Sequence, residues 1–362
     1  MKAEASTDII KSYIAQRQWE KVIKICKETL EDNPSHTEIY HFWGKALVGL
    51  GKLKEAIEIY QKLLENNLDR AEIYAEIGLL YSKNRQLDKA LQHYQRGLKL
   101  KPDWTNLQYN LAVVCHQLED WEQAITGYEK TIALAPNHTA AHFNLGVLYT
   151  QREELEKAIA SYQQVIKLQP NNTQAYSNLG SVFVKQEKFA AAIDYFQQGL
   201  KFDPTWATLH NNLGQVFLLN QQPEKALARF ENAVILEPTM ALAHYNLGKL
   251  WKQQRNYSAA IDCFQQVINL EPNNIAAYSH CADALFLHND LELTIDYLRS
   301  AISIQPHFVE AYCQRAKSLQ PETLLEQAKI SCANFLIAIK EQRSYQQILN
   351  HFWKTYFYWG EV

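Results

Sequence analysis

Thr139–Asn172 reads TAAHFNLGVLYTQREELEKAIASYQQVIKLQPNN, and a shift of 34 residues in either direction brings the same pattern back. Its small residues are Gly146 and Ala158, its large ones Leu145, Tyr149 and Tyr162, and it closes on Pro170. A period of this length, held over many copies, marks a stacked repeat and decides the fold before any single motif does.

The unit reads as two helices. His142, Leu145, Gly146 and Tyr149 fall at i, i+3, i+4 and i+7; Ala158, Tyr162, Val165 and Ile166 fall at i, i+4, i+7 and i+8. Each set therefore lies on one helical face. Gly146 and Ala158 lack bulk, which lets the backbones approach where the helices cross. Pro170 cannot continue the second helix, and Asn171-Asn172-Thr173 offers a turn and an N-cap. The first helix has too little apolar surface to stand alone, but stacked copies bury a continuous core.

Four columns keep this register. The small residue of the first helix recurs as Gly44, Gly78, Ala112, Gly146, Gly180, Gly214, Gly248, Ala282 and Ala316. The alanine of the second recurs as Ala56, Ala90, Ala124, Ala158, Ala192, Ala226 and Ala260. The aromatic recurs as Tyr60, Tyr94, Tyr128, Tyr162, Phe196, Phe230 and Phe264, and the closing proline as Pro102, Pro136, Pro170, Pro204, Pro238, Pro272 and Pro306. This pattern closely resembles the tetratricopeptide repeat (TPR) family over roughly four-fifths of the chain. The resemblance implies an all-α TPR α-solenoid, a right-handed superhelix of helix–turn–helix repeats.

On this register a degenerate N-terminal repeat occupies 3–36, with Ile10, Val22 and Cys26 in the core slots and Pro34 closing it. Repeats follow at 37–70, 71–104, 105–138, 139–172, 173–206, 207–240 and 241–274. Leu68 replaces the closing proline of the second. The pattern loosens at 275–308, where Thr294 and Leu298 replace the small residue and the aromatic. An extended TPR-like helical segment is expected at 309–352. Residues 353–362 read as the start of a further repeat, because Tyr356-Phe357-Tyr358-Trp359-Gly360 aligns with Tyr40-His41-Phe42-Trp43-Gly44. A chain cut inside a longer protein is expected from that match, with self-association through the exposed C-terminal aromatics.

A net charge of −3 gives no basic footprint, so nucleic acid is not an expected partner. No apolar run approaches the roughly 18 residues of a membrane span. The start, MKAEASTDIIKSYIAQRQ, has no apolar h-region or cleavage pattern, so the expected compartment is the cytoplasm. The six cysteines form no C-x-x-C and read as free thiols, three of them in core slots.

No glycine-rich phosphate loop, H-E-x-x-H or G-x-S-x-G occurs, so no catalytic residue and no cofactor is expected. Gly49, Gly51, Gly97, Gly127 and Gly199 fall outside the crossing column. His138 and His142 stand at i and i+4, a spacing that can hold a metal. His142 fills the slot of Tyr176, His210 and His244, however, and reads as a packing residue; no metal site is expected.

One column exceeds what packing alone asks for. Asn110, Asn144, Asn178, Asn212 and Asn246 recur one place before the leucine of each first helix. His280 and Gln314 continue the column imperfectly, and Glu76 and Phe42 end it on the other side. It resembles the asparagine ladder in the TPR region of O-linked N-acetylglucosamine transferases, where first helices line a concave groove and the amides hold extended peptides by their backbone. An amide carries both donor and acceptor and so matches a peptide group whatever its side chain. The competing reading is that asparagine serves helix packing here.

Beside the ladder stand Tyr109, Phe143, Ser177, Asn211 and Tyr245, then Val113, Val147, Ser181, Gln215 and Lys249. This set is neutral and partly aromatic, unlike the Lys/Arg clamp by which chaperone-binding TPR proteins hold a terminal carboxylate. The expected function is a protein-interaction scaffold that binds extended peptide segments. The alternative is the substrate-recruiting arm of a larger, O-linked N-acetylglucosamine transferase-like enzyme whose catalytic domain lies past Val362.

Overall fold

The computed structural model describes residues 2–33, 36–65 and 70–290, with single positions 293, 296, 297, 300 and 304 beyond them. Pro34, Leu68, Thr294, Leu298, Pro306 and the segments 309–352 and 353–362 lie outside the described residues. The described residues form seventeen α-helices and no strand. In order they are α1 (Lys2–Ala15), α2 (Trp19–Asp32), α3 (Thr37–Gly49), α4 (Leu53–Glu65), α5 (Ala71–Lys83), α6 (Leu87–Leu100), α7 (Thr105–Gln117), α8 (Trp121–Leu134) and α9 (Thr139–Gln151). Then come α10 (Leu155–Leu168), α11 (Thr173–Lys185), α12 (Phe189–Phe202), α13 (Ala207–Leu219), α14 (Pro223–Leu236), α15 (Ala241–Gln253), α16 (Tyr257–Leu270) and α17 (Ile275–Leu287).

Two compact units divide the chain at Val182/Phe183. Consecutive helices pack on one another from α1 to α10 and from α12 to α17, and first helices also touch the next first helix where α1 meets α3, α5 meets α7, α13 meets α15 and α15 meets α17. Each unit therefore has one face built from first helices.

The crossing column works as a ring on a glycine. A Cβ at Gly146 would stand 2.8 Å from Tyr162 Cε1, and one at Gly214 would stand 2.7 Å from Phe230 Cε1. At Gly44, Gly78, Gly146, Gly214 and Gly248 the second-helix ring lies against the first-helix backbone, and the rings at 60, 94, 128, 162, 196, 230 and 264 are the largest fully buried side chains. Where alanine stands in the column the partner gives way. A Cβ at Gly127 would meet Ala112 Cβ at 2.7 Å, so Gly127 makes room for the methyl of Ala112. Gly49 and Gly97 are likewise tight, against Trp19 and Leu107. These glycines outside the column are close-approach residues too, a correction to the expectation that only the column marks crossings.

The turn inside each pair has its own column. Arg17, Arg85, Glu119, Glu153, Glu187, Gln221, Arg255 and Asn289 all have positive φ, between 54° and 66°, and Gly51 takes the same position at 75°. A left-handed residue here lets the chain reverse in three residues, and only Gly51 does so without steric cost. Between pairs the closing proline is followed by a cap. Asn172 Oδ1 and Asn274 Oδ1 accept from the backbone N–H of Ala175 and Ala277 at 3.0 Å each.

The N-terminal repeat keeps a core with substitutes in its slots. Ile10, Val22 and Cys26 are fully buried and cluster with Leu30, Ile39, Phe42 and Ala46.

Candidate functional site

The ladder asparagines sit on α7, α9, α11, α13 and α15, all first helices, and all five are half-buried. Their residue type does not isolate them from the core beneath. Asn144 Nδ2 donates to Tyr109 Oη at 3.0 Å and to Tyr128 Oη at 3.3 Å. Asn178 Nδ2 donates to Tyr162 Oη at 3.3 Å. The second-helix ring of one repeat, Tyr128 or Tyr162, thus carries its hydroxyl through to the asparagine of the next repeat.

In the second unit the ring is phenylalanine and offers no hydroxyl. Asn246 Nδ2 instead donates to Asn211 Oδ1 at 2.8 Å, and Asn211 Nδ2 reaches Asn212 Oδ1 at 3.5 Å. Asn211 is 0 % exposed, so it does not line an open face as its register suggested. Burial obliges its amide to find protein partners, and the neighbouring asparagines supply them. Ser177 is also buried; Tyr109, Phe143, Tyr245, Val113, Val147 and Ser181 are half-buried, and Gln215 and Lys249 are exposed.

Aromatic contacts stiffen this face. Tyr109 lies 4.7 Å from the His138 ring and 5.9 Å from Tyr128, and Phe143 meets Tyr162 edge-on at 5.8 Å. Burial pushes the hydroxyls of Tyr109, Tyr128 and Tyr162 up in pKa, so all three stay neutral partners for an amide.

The ladder register ends at His280, where charge replaces amide. Lys252 Nζ stands 3.0 Å from Asp283 Oδ2 and 3.1 Å from His280 Nδ1. Phe264 stacks on the His280 ring at 5.5 Å and Tyr245 meets it edge-on at 5.5 Å. Burial, then the charges of Lys252 and Lys249, hold His280 down at about 4, while burial pushes the Asp283 carboxyl up.

The paired histidines of the central repeat are engaged in structure. His138 Nδ1 accepts from Ala141 N at 3.1 Å and caps α9; His142 Nε2 donates to the Pro136 carbonyl at 2.9 Å. His210 and His244 repeat that bond to Pro204 and Pro238, at 3.0 Å each. A histidine in this slot therefore ties α9, α13 and α15 each to the proline turn that precedes it. Among the described residues no three His, Cys, Asp or Glu side chains are grouped to hold a metal.

Cys26, Cys115, Cys263 and Cys281 are free. Burial is the main cause that pushes Cys115 up to about 11 and the other three up to about 12. Burial thus favours the thiol over the nucleophilic thiolate at all four.

What the geometry offers is a face of partly tied amides on a stack of helix pairs, the construction of an α-solenoid scaffold. Models of the tetratricopeptide repeat match residues 37–70, 71–103, 107–140, 173–205 and 241–274, and a TPR repeat model matches 146–187. Together they span more than half of the sequence, and the chain belongs to the tetratricopeptide repeat family.

Among solved structures it is similar to a tetratricopeptide repeat protein from Parabacteroides merdae ATCC 43184, with 16% identity and a TM-score of 0.52 over 69% of this chain and 98% of that one. It is also similar to pilF of Pseudomonas aeruginosa, with 19% identity and a TM-score of 0.50 over 59% and 97%. A third is YrrB, a TPR protein with an unusual peptide-binding site, at 26% identity and a TM-score of 0.44 over 53% and 98%. The first two likenesses bear on the fold alone. No curated protein sequence matches. No helix among the described residues is long and apolar enough to cross a membrane.

Proposed function

We propose that this chain is a protein-interaction scaffold that holds extended peptide segments on its first-helix face, with Asn110, Asn144, Asn178, Asn212 and Asn246 as the gripping residues. The observation that carries the reading is the half-exposed amide recurring at one register, with hydrogen-bonding capacity left over. Asn144 and Asn178 give Nδ2 to tyrosine and retain Oδ1; Asn212 retains Nδ2. Packing and binding are not rivals at these positions, because each amide has two ends. A segment gripped by its backbone is recognised by being extended, not by its side chains.

The test uses a labelled peptide of about a dozen residues, enriched on the intact chain from a random-sequence pool. Replacing all five asparagines by alanine is expected to abolish its binding. The tethers at Asn144, Asn178 and Asn246 add a stability loss of about 1 kcal/mol each. Asn212→Ala is expected to weaken binding several-fold and, by taking the acceptor from the buried Asn211 amide, to cost about 1 kcal/mol of stability. Unchanged affinity in the five-site variant, or a pool from which nothing is enriched, contradicts the reading.

A further inference from the structure

We infer that the ladder of the first unit has a fixed polarity at Asn144: the hydroxyls of Tyr109 and Tyr128 turn its amide nitrogen inward, so that this position presents only its carbonyl oxygen and recognises a ligand through a backbone N–H group. Tyr162 biases Asn178 the same way, with one N–H left over. This rests on the peptide-binding reading above and goes beyond it by naming which half of the ligand's peptide group is read. It makes Tyr109, Tyr128 and Tyr162 positioning residues for a site they do not touch.

The inference is built from valence and distance. An asparagine side chain has two N–H donors on Nδ2 and two lone pairs on Oδ1. At Asn144 two hydroxyls, Tyr109 Oη and Tyr128 Oη, approach the same end of the amide. Both N–H bonds are therefore engaged, and Oδ1 is all that remains for an incoming group. At Asn178 one hydroxyl, Tyr162 Oη, engages one N–H and leaves the second beside Oδ1.

A hydroxyl can donate as well as accept, so the lengths decide the orientation. The three contacts are 3.0, 3.3 and 3.3 Å. N–H···O bonds centre near 2.9–3.0 Å, whereas O–H···O bonds centre near 2.7–2.8 Å and rarely exceed about 3.0 Å. Contacts of this length suit nitrogen facing the hydroxyls. The rings cannot swing away to release the amide, because Tyr128 and Tyr162 are 0 % and 1 % exposed and packed in the repeat crossings.

The second unit has no such device. Phe196 and Phe230 hold the ring positions, Asn212 has Nδ2 free of a tyrosine, and Asn246 has one N–H on Asn211 and a second N–H besides Oδ1. A ligand on the first unit must therefore supply an N–H donor where it meets Asn144. Proline or an N-methylated residue cannot, and is rejected there; on the second unit the demand is mixed.

The experiment is an N-methyl scan of the enriched peptide, one backbone nitrogen at a time, against the intact chain and against a Tyr109→Phe/Tyr128→Phe/Tyr162→Phe variant. N-methylation at one position, the nitrogen that meets Asn144, is expected to weaken binding to the wild-type chain about tenfold, because Oδ1 loses its donor. In the triple variant the Asn144 amide is free to turn and read a carbonyl, so the penalty at that position is expected to shrink to about twofold or less. A purely structural role of the hydroxyls would lower the melting temperature and leave the scan unchanged, which would overturn the inference. So would a wild-type scan with no sensitive position. If that flat scan comes with loss of binding in the five-site alanine variant, the polarity alone fails. If the five-site variant also binds normally, the ladder itself fails.

Discussion

In the first unit the ring laid on each crossing is tyrosine, at 60, 94, 128 and 162; in the second it is phenylalanine, at 196, 230 and 264. All seven rings are buried to the same degree, within 1 % of full. Packing therefore asks only for the ring, and the hydroxyl is surplus to the fold. At 128 and 162 that surplus is tied to the ladder, while Tyr60 reaches only the His41 carbonyl at 3.5 Å. The two units share a scaffold and differ in what lies under their amides.

The largest expected effect tests what the units share. Gly146→Leu in the first and Gly214→Leu in the second should each cost about 2–3 kcal/mol, because the added side chain enters a gap already filled by Tyr162 or Phe230. Urea unfolding of the two variants checks this. A loss confined to one unit would break the claim of a common crossing.

Acid should separate the units next. His280, in the second, is held at about 4, below its ordinary 6.5. Its neutral form favours folding, so its contribution is present above about 6.5 and is lost as pH falls from there toward 4. With the side chain 29% exposed, the loss is put at about 1–2 kcal/mol after solvent screening. Melting temperature between these pH values should fall less in His280→Gln than in the wild-type chain.

The smallest effect is one neither unit should escape. Glu153 and Gln221 have positive φ, at 60° and 56°, so Glu153→Gly and Gln221→Gly should each raise stability by about 0.5–1 kcal/mol, whereas Gly51→Ala should lower it. Equal gains in the two units would confirm that the turns, like the crossings, are common property. A loss at either site would show that the Glu153 or Gln221 side chain contributes more than its backbone costs.

Much of this was legible before any coordinates. The 34-residue period with Gly146, Ala158, Tyr162 and Pro170 gave helix pairs and crossings, because close backbone approach and chain reversal each demand particular residue types. The ladder column was visible for the same reason, as a polar residue repeated where nothing local required one. Its tethers were less so. Asn144 meets Tyr128 sixteen residues back and Tyr109 thirty-five back, and only the stacking of neighbouring repeats brings those positions together. The tyrosine-to-phenylalanine change between 162 and 196 was the signal, and a ring column read only for bulk conceals it. Asn211 was read as lining the face because register gives direction and not depth. The Ala112/Gly127 exchange was missed because Gly127 stands outside the crossing column and compensates a residue on the facing helix.

The most direct measurement of the difference between the units is a pair of double-mutant cycles on stability, Asn178→Ala with Tyr162→Phe and Asn212→Ala with Phe196→Tyr. The first is expected to show a coupling of about 1 kcal/mol, the net worth of the tether. In the second, Phe196→Tyr is expected to stabilise the chain only while Asn212 is present, since the new hydroxyl then has an amide to receive it. Additive effects in both cycles would mean that the hydroxyls and the ladder do not interact, and the contrast between the units would collapse to a difference in ring chemistry alone.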